Sequence, residues 1–406
     1  MSLFKNKGPG LLIAAAFIGP GTVTICTIAG AKYHFALLWA MVFSMGATMV
    51  LQEMTARLGL VAKTGLAEAV RNEIKHPVLK WLAIILIMSA ILVGNAAYEA
   101  GNISGSMMGI LALNENVFVT IGNLNINIAS LAIGLIAFII LFIGSYKLIE
   151  KFLVGLVVIM SVAFLITAIM TQPNIIAVLK GMFIPSFPEN SGLIIVALIG
   201  TTVVPYNLFL HASLVQEKWQ TKEDLPKAQS DVFISILFGG LISMAIIIAA
   251  AAIENIGINN AYDLAKGLEP LFGSYAKYFI ALGLFAAGIT SAITAPLAAA
   301  YVARGCFDWD NSLKSTKFRL VWITILLLGI VFSSTGIRPI DVIKFAQIAN
   351  GLLLPIIALF LFWVMNKKSL LGDYKNSSKQ NILAGIIVII TAVLGIKSIF
   401  KVFGIL

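Results

Sequence analysis

Two apolar segments of this chain are each interrupted near the middle by a proline beside small or polar residues. The first interruption is Gly19-Pro20-Gly21-Thr22, and the second runs from Thr201 to Asn207. Inside a lipid bilayer an unpaired backbone group finds no water, so a broken helix is tolerated only where it lines a protein-walled cavity. Two such breaks in corresponding places of two halves predict a binding site at the membrane midplane, as in secondary transporters.

Composition supports a membrane protein. Hydrophobic residues make up 60% of the chain and charged residues 11%, and the mean hydropathy is +0.99. Soluble domains carry about 25% charged residues. The net charge of +10 could suggest nucleic acid, but the basic residues lie in short loops between apolar runs, so the bilayer is the expected partner and nucleic acid is not. Cys26 and Cys306 fall in or beside different spans, and we expect no disulfide framework.

The apolar runs predict one transmembrane domain over residues 1–406, with short loops. A spanning helix needs about 20 apolar residues. Lys5 and Lys7 before an apolar run resemble a signal peptide, but the run from Leu11 to Ala31 is too long and its Gly-Pro-Gly interruption is foreign to one, so we expect a retained first span. Eleven runs qualify: 10–31, 36–61, 78–109, 126–145, 149–171, 192–215, 229–253, 274–302, 319–335, 340–365 and 381–404.

Loop charges predict the orientation. Basic residues concentrate in the segments that lie inside if the N-terminus is cytoplasmic, which the positive-inside rule favours. With an odd number of spans, the C-terminus is then extracellular. The inner set is Lys5, Lys7, Lys63, Arg71, Lys75, Lys147, Lys151, Lys218, Lys222, Lys227, Arg304, Lys314, Lys317, Lys367, Lys368, Lys375 and Lys379; the outer set is Lys32, Lys180, Lys266, Lys277, Arg338, Lys344, Lys397 and Lys401.

The two interruptions also predict an internal repeat. Spans one to five and six to ten each open with a broken helix, and the second set enters the membrane from the opposite side, as in an inverted five-helix repeat. Repeat one covers about 10–171, repeat two about 192–365, and an accessory helix about 381–404. For either break alone, an ordinary proline kink is the alternative. In the third span, Gly101-x-x-x-Gly105-x-x-x-Gly109 predicts a small-residue face for close packing of two helices.

At these positions the chain resembles the NRAMP metal transporters, over essentially its whole length. The resemblance implies an all-α LeuT-type fold, with substrate held between helices 1 and 6 and often a proton moving with it. It is carried by Ile18-Gly19-Pro20-Gly21-Thr22, Ile28-Ala29-Gly30-Ala31, Leu38-Trp39, Val204-Pro205-Tyr206-Asn207-Leu208-Phe209-Leu210-His211-Ala212, Gln52 through Gly59 and Gln347 through Pro355.

The chain departs from that family at the expected metal ligands. Gly19 stands in place of the aspartate, Thr22 of the asparagine, Val204 of the methionine and Tyr206 of the histidine. A carboxylate neutralises a divalent ion, and a thioether favours transition metals. A high-affinity manganese or iron site of the usual kind is therefore not expected. The substrate-binding positions remain Gly19, Thr22, Thr201, Val204, Tyr206, Asn207 and Gln347.

Two substrate hypotheses stay open at this point. The resemblance implies a divalent cation taken up with protons, held weakly or partly hydrated by the hydroxyl and amide groups and Glu99. The local field allows another small solute, such as hydrated magnesium, an organic acid or an amino acid, coupled to protons or sodium. Carbonyl ends near Phe17, Ile18, Gly200 and Thr201 suit a cation, whereas amide ends near Thr22 and Asn207 suit an anion or a carboxylate.

Several polar side chains are candidates for coupling. Glu99 lies inside the third span, where acids are suspected of function; resemblance places it on the family's proton pathway and puts Asn102 at the second acidic position. The alternative is a neutral carboxyl held by amides for packing. His211 suits proton transfer or ordinary hydrogen bonding. Thr290, Ser291 and Thr294 could form a sodium site. The alternative is that their hydroxyls hydrogen-bond to backbone carbonyls of their own helix.

Other charged groups have simpler interpretations. Glu53 and Arg57 are four residues apart and predict an ion pair on one helix. Arg319 is interpreted as an interface anchor rather than a proton exit. No hydrolase elbow, zinc-binding His pair or phosphate loop occurs, so neither an enzyme nor a cofactor is expected, and a channel lining of charged rings is missing. The sequence predicts a secondary active transporter of a small ion or solute in the cytoplasmic membrane, for which a monomer is one option and the oligomeric state stays open. The alternative from another class is a membrane protein that senses or scaffolds without transporting.

Overall fold

Helices dominate the computed structural model, which describes residues 18–113, 118–121, 124–144, 147–253, 258–309 and 314–402. The first half contains α1 (Pro20–Tyr33), α2 (Leu38–Ala62), α3 (Leu66–Glu73), α4 (Pro77–Leu111), β1 (Phe118–Ile121), β2 (Leu124–Asn127), α5 (Ile128–Ile143), α6 (Lys147–Met170) and α7 (Ile175–Phe183). The second half contains α8 (Gly192–Thr202), α9 (Pro205–Lys218), α10 (Leu225–Ala250), α11 (Ala261–Ala265), α12 (Glu269–Phe272), α13 (Ala276–Phe307), α14 (Thr316–Ser333), α15 (Pro339–Val364), α16 (Lys368–Leu371) and α17 (Ser378–Val402).

Each of the eleven predicted spans corresponds to a helix or a broken pair of helices in the described ranges. Seven helical segments among the described residues are long and apolar enough to cross a membrane, with α8 and α9 counted as one segment, or eight if the bent pair α6 and α7 is added. Three predicted spans are not among these: α5 has only 16 residues, the described part of the first span has only 14, and α2 has 25 residues but carries the polar Gln52, Glu53 and Arg57. The first part of that span, residues 10–17, lies outside the described residues.

The sequence analysis missed the short elements between the spans. The amphipathic helix α3 lies between α2 and α4, and α7 follows α6 after a bend of 120°. The strands β1 and β2 form an antiparallel hairpin in which Phe118 pairs with Asn127, so the fold is helical with one small hairpin. These elements are too short or too mixed in composition to give the long apolar signal of a span.

Hydrogen bonds and ion pairs tie the loops into two opposite faces. On one face, Lys63 Nζ donates to Gln220 O at 2.7 Å, Ser369 Oγ donates to Glu73 at 2.9 Å, and Arg71 pairs with Asp308 at 2.8 Å. On the other face, the indole of Trp39 donates to Ser186 O at 2.9 Å, and Arg338 reaches Asn259 at 3.4 Å. The first set joins the loops predicted to lie inside, and we call this side the basic face.

The small-residue face of α4 packs differently from the prediction. Three glycines of this face approach three different helices rather than one. A Cβ on Gly101 would contact Ala346 of α15, one on Gly105 would collide with Pro20 of α1, and one on Gly109 would collide with a backbone carbonyl of α13. Because α4 lies at the centre of the bundle and contacts α13, α15 and α14 extensively, its small residues set the distance to the first break.

Candidate functional site

The first break is shorter than the sequence predicts. Gly19 is extended, with φ −86° and ψ 176°, and α1 begins at Pro20, so Gly21 and Thr22 are already helical. Proline is favoured at the first helical position because its missing N–H would have no partner there and its φ is preset. The break therefore ends at Gly19. The predicted carbonyl end at Phe17 lies outside the described residues.

The second break is also confined to two residues. The helix α8 continues through Thr202 and α9 begins at Pro205, which leaves Val203 and Val204 outside the helices. The predicted stretch from Thr201 to Asn207 was too long. Pro205 cannot donate to a preceding turn, and it forces the residue before it into an extended conformation; Val204 has φ −75° and ψ 120°.

The two breaks meet inside the protein. The Thr22 and Thr201 hydroxyl oxygens lie 2.8 Å apart, and both side chains are buried. The helix α15 closes the third side, because a Cβ on Gly21 would collide with the Gln347 amide and one on Gly200 with the Gln347 carbonyl oxygen. Glycine at both positions allows this close approach. The predicted residues Thr22, Thr201 and Gln347 are thus brought together.

Several amide groups near these breaks are buried without hydrogen-bond partners. Both polar atoms of the Asn207 side chain lack a partner, and so does Gln347 Oε1. Asn350 Nδ2, one turn along α15 from Gln347, is in the same condition. A buried polar atom left unpaired costs about 1–3 kcal/mol. These atoms are therefore available to a polar ligand or its water. The sequence analysis missed Asn350. Its position three residues after Gln347 on the same helix, and so on the same face, was the signal that could have identified it.

Tyr206, which stands before Asn207 where the family has a histidine, packs against another aromatic ring. The Tyr206 ring is fully buried and meets the Tyr98 ring of α4 edge to face, with centroids 5.3 Å apart. Val204 is 1% exposed and contributes only apolar surface. The site wall at Val204 and Tyr206 therefore carries neither a thioether nor an imidazole.

Glu99 follows Tyr98 on α4 and packs against a different helix. Successive residues on a helix point about 100° apart, so Glu99 cannot share the direction of Tyr98. The Glu99 side chain packs against Gly329 of α14, and Asn102 Nδ2 donates to its Oε2 at 3.3 Å. Its other carboxyl oxygen is buried without a partner. Glu99 and Asn102 come together as predicted, and direct binding of the substrate by Glu99 stays a prediction.

His211 belongs to a separate polar cluster between α9 and α2. Its Nδ1 lies 2.5 Å from Gln52 Oε1 and 3.3 Å from the Thr55 hydroxyl. A proton on Nδ1 satisfies the Gln52 oxygen, and Nε2 then remains buried as an acceptor without a partner. This arrangement holds α9 against α2, on the side of the break that leads to the basic face.

The predicted sodium ligands bond mainly within their own helix. Thr290 Oγ1 donates to Ala286 O and Thr294 Oγ1 to Thr290 O, each at 2.8 Å. Thr290 and Thr294 lie about two and three helical turns after Gly283, on the same face of α13. A Cβ on Gly283 would collide with Met160 of α6, so this face points to α6. The Ser291 hydroxyl is buried and has no partner. The bonding pattern is the one predicted for the alternative to a sodium site.

The remaining charged candidates, Arg57, Glu53 and Arg319, make contacts with neighbouring side chains and loops. Arg57 and Glu53 form the predicted ion pair at 3.1 Å. Arg57 also donates to Tyr374 O at 2.9 Å and to Asn376 Oδ1 at 2.8 Å. The Arg319 guanidinium lies 4.5 Å from the centre of the Phe142 ring, and its role as an interface anchor stays a prediction. Within the described ranges no group of three or more His, Cys, Asp or Glu side chains could hold a metal ion.

Comparison with known proteins agrees with this architecture. The profile of the family described as natural resistance-associated macrophage protein-like, Nramp, matches residues 10–401. The chain belongs to the Nramp family. A curated relative, the divalent metal cation transporter MntH of Staphylococcus saprophyticus, is 29% identical, with 99% of this chain and 93% of that protein covered.

Solved structures place this Nramp chain among LeuT-type folds. A crystal structure of the Eremococcus coleocola manganese transporter matches with a TM-score of 0.77 at 21% identity, covering 98% of this chain and 86% of that one. MhsT in complex with L-phenylalanine matches with a TM-score of 0.63 at 18% identity, covering 95% and 98%. The same fold thus holds cargoes as different as a metal ion and an amino acid, so the cargo of a member depends on the side chains at its breaks.

Proposed function

We propose that this Nramp protein is a secondary active transporter of a divalent cation that keeps much of its water shell, with Mg²⁺ as the preferred ion. Thr22, Thr201, Asn207 and Gln347 would bind the hydrated ion, and Asn350 would receive it on the inward side. The N-terminus and the basic face would be cytoplasmic. Alternating access would come from movement of the broken helices relative to the rest of the bundle.

The neutral donor set at the breaks is the observation that carries the proposal. Asn207 and Gln347 offer buried amide oxygens without partners, and the hydroxyls of Thr22 and Thr201 meet at the breaks. Mg²⁺ gives up its water reluctantly and is often bound through several retained waters. Neutral oxygens can accept hydrogen bonds from that shell. Bare Mn²⁺ or Fe²⁺ would need a carboxylate or a soft ligand, which Gly19 and Val204 do not supply.

The relatives support a divalent cation as the cargo class. Proteins named divalent metal cation transporters align with nearly the whole chain. For coupling, we propose that Glu99 takes up the proton, since its carboxyl is buried with one free oxygen beside Asn102. Glu99→Gln should then abolish uptake driven by a pH gradient while leaving Mg²⁺ equilibrium binding within about twofold.

A polar organic solute is the second candidate. The Asn207 amide offers both a donor and an acceptor without a partner, and it sits in the first turn of α9, where the helix dipole attracts negative charge. Amino or organic acids match both features. A carboxylate-bearing solute would bind here in an orientation that a hydrated cation would not adopt.

Uptake into proteoliposomes tests the proposal. The purified protein is reconstituted, and Mg²⁺ and Mn²⁺ influx are measured at micromolar and millimolar concentrations with and without a pH gradient. We expect saturable Mg²⁺ influx in the millimolar range and weak Mn²⁺ influx. Absence of influx of both ions, together with thermal stabilisation by an amino or organic acid, would replace the proposal with the second candidate. The Asn207→Leu variant serves as the transport-deficient control.

A further inference from the structure

A cavity of about 390 Å³ opens on the basic face, away from the site at the breaks. Three elements form its walls: the first turns of α3, the middle of α9 and the end of α13. Its volume is enough for roughly a dozen waters at about 30 Å³ each. Its lining residues include Glu68, Arg71, Ser213, Arg304 and Asp308.

One face of α9 connects this cavity to the site. Tyr206, Phe209 and Ser213 are spaced three and four residues apart and lie on the same side of the helix. Tyr206 packs against Tyr98 beside the site, whereas Phe209 and Ser213 line the cavity. Asn207 and Ser213 are six residues apart, a rise of about 9 Å along the helix axis. The Phe209 ring is 3% exposed and lies between Tyr206 and Ser213 along this face of the helix.

An ion pair joins two walls of the cavity. Arg71 Nη2 of α3 lies 2.8 Å from Asp308 Oδ1 at the end of α13. The Arg71 side chain is 12% exposed and the Asp308 side chain 80%, so the pair reaches from the cavity wall to the surface. Asp308 has a left-handed backbone, with φ 56° and ψ 46°. Arg71 Nη1 is buried without a partner, so its guanidinium is only partly satisfied in this state.

From this geometry we propose that the cavity is the inner vestibule through which cargo leaves the site, and that the Arg71–Asp308 pair is the latch that holds α3 against α13 across it. Opening separates the pair and moves Phe209 away from the route. The proposal rests on the transport function proposed above, but it holds for any cargo, because the latch and the vestibule do not depend on which solute is bound.

Thiol accessibility at position 213 tests the latch. In a Cys26→Ala/Cys306→Ala background, Ser213→Cys is reacted with a small methanethiosulfonate reagent in detergent-solubilised full-length protein. Asp308→Asn should raise the reaction rate about two- to fivefold, in proportion to the modest strength of a partly exposed ion pair. The matched control is Asp224→Asn, which removes the carboxylate of the Asp224–Lys227 pair on the same face, outside the cavity. It should leave the rate unchanged.

The charge-swapped pair makes the test specific. Arg71→Glu combined with Asp308→Arg should return the reaction rate of the Ser213→Cys thiol towards that of the unswapped background, while Asp308→Arg alone should accelerate it. Lys375→Cys, exposed on the basic face, reports general reactivity and should not respond. Equal acceleration by Asp308→Asn and Asp224→Asn, or no acceleration by Asp308→Asn, would overturn the latch. Failure of Mg²⁺ influx alone would instead reject the proposed cargo and leave these rates as expected.

Discussion

At the level of single residues, replacing either of two buried asparagines with leucine should have different effects on stability. Asn95 Nδ2 donates to Ala295 O at 2.8 Å and joins α4 to α13, whereas neither polar atom of Asn207 has a partner. Asn207→Leu should therefore abolish Mg²⁺ influx but leave thermal stability unchanged or raise it, because it removes an unpaired amide of similar size. Asn95→Leu should lower the free energy of unfolding by about 0.5–1.5 kcal/mol, because the hydrogen bond that joins α4 to α13 is lost.

Uptake assays and thermal denaturation of both variants, in the same detergent and lipid, check this pair. The contrast matters more than either value, since a general effect of removing an amide from the bundle would lower both melting temperatures. If Asn207→Leu unfolds at a lower temperature than Asn95→Leu, Asn207 has a structural partner and is not a cargo ligand.

Position 19 decides whether a metal site can be restored. Gly19 immediately precedes α1, in an extended conformation that an aspartate can adopt. Gly19→Asp should create Mn²⁺ binding measurable by calorimetry, because a carboxylate then opposes the divalent charge at the break. Gly19→Asn has nearly the same shape without the charge and should not bind Mn²⁺. Equal heats of binding in the two variants would show that the carboxylate does not reach the ion.

At the level of elements, the packing of α4 on α1 depends on a missing side chain. A Cβ at position 105 would collide with the Pro20 ring, so Gly105→Ala must displace the start of α1. We expect a loss of about 1–3 kcal/mol in unfolding free energy together with reduced Mg²⁺ influx, since Thr22 moves with that helix. Gly385→Ala in α17 is the control, because a Cβ there meets nothing within 4 Å.

Circular dichroism melting and uptake together separate these effects. Gly385→Ala should be neutral or slightly stabilising, as expected when alanine replaces glycine within a helix. Gly105→Ala with normal stability and normal uptake would mean that α1 adjusts at no cost, and the placement of Thr22 by this contact would be wrong.

Sequence patterns predicted the elements better than their contacts. The apolar runs and the two prolines located the spans and both breaks because those signals are local. Small-residue spacing on α4 predicted one close helix, whereas Gly101, Gly105 and Gly109 face three, because helix identity depends on the arrangement of the whole bundle. The same limit applies to Glu99: the sequence showed that it lies inside a span, but its contact with Gly329 depends on which helices surround α4.

At the level of the whole molecule, the hydrogen bonds and ion pairs between loops divide the loops into two groups, one on each face of the bundle. Arg57 connects two distant segments on the basic face. It binds Glu53 on its own helix and donates to Tyr374 O and Asn376 in the loop before the last helix. The same residues that pair in the structure come from segments that the sequence assigned to one side. Agreement of loop pairing with loop charge is a global property, and no single motif could have provided it.

The positive-inside rule then predicts that this basic face is cytoplasmic. Lys375 lies exposed on it, and Lys180 lies exposed on α7 at the other end of the bundle. In a Cys26→Ala/Cys306→Ala background, a membrane-impermeant thiol reagent added to intact cells should label Lys180→Cys and leave Lys375→Cys unlabelled until the cells are opened. The two single-cysteine proteins serve as controls for each other. The reverse pattern would invert the protein in the membrane, and the cavity beside Arg71 would then be an entrance for cargo instead of an exit.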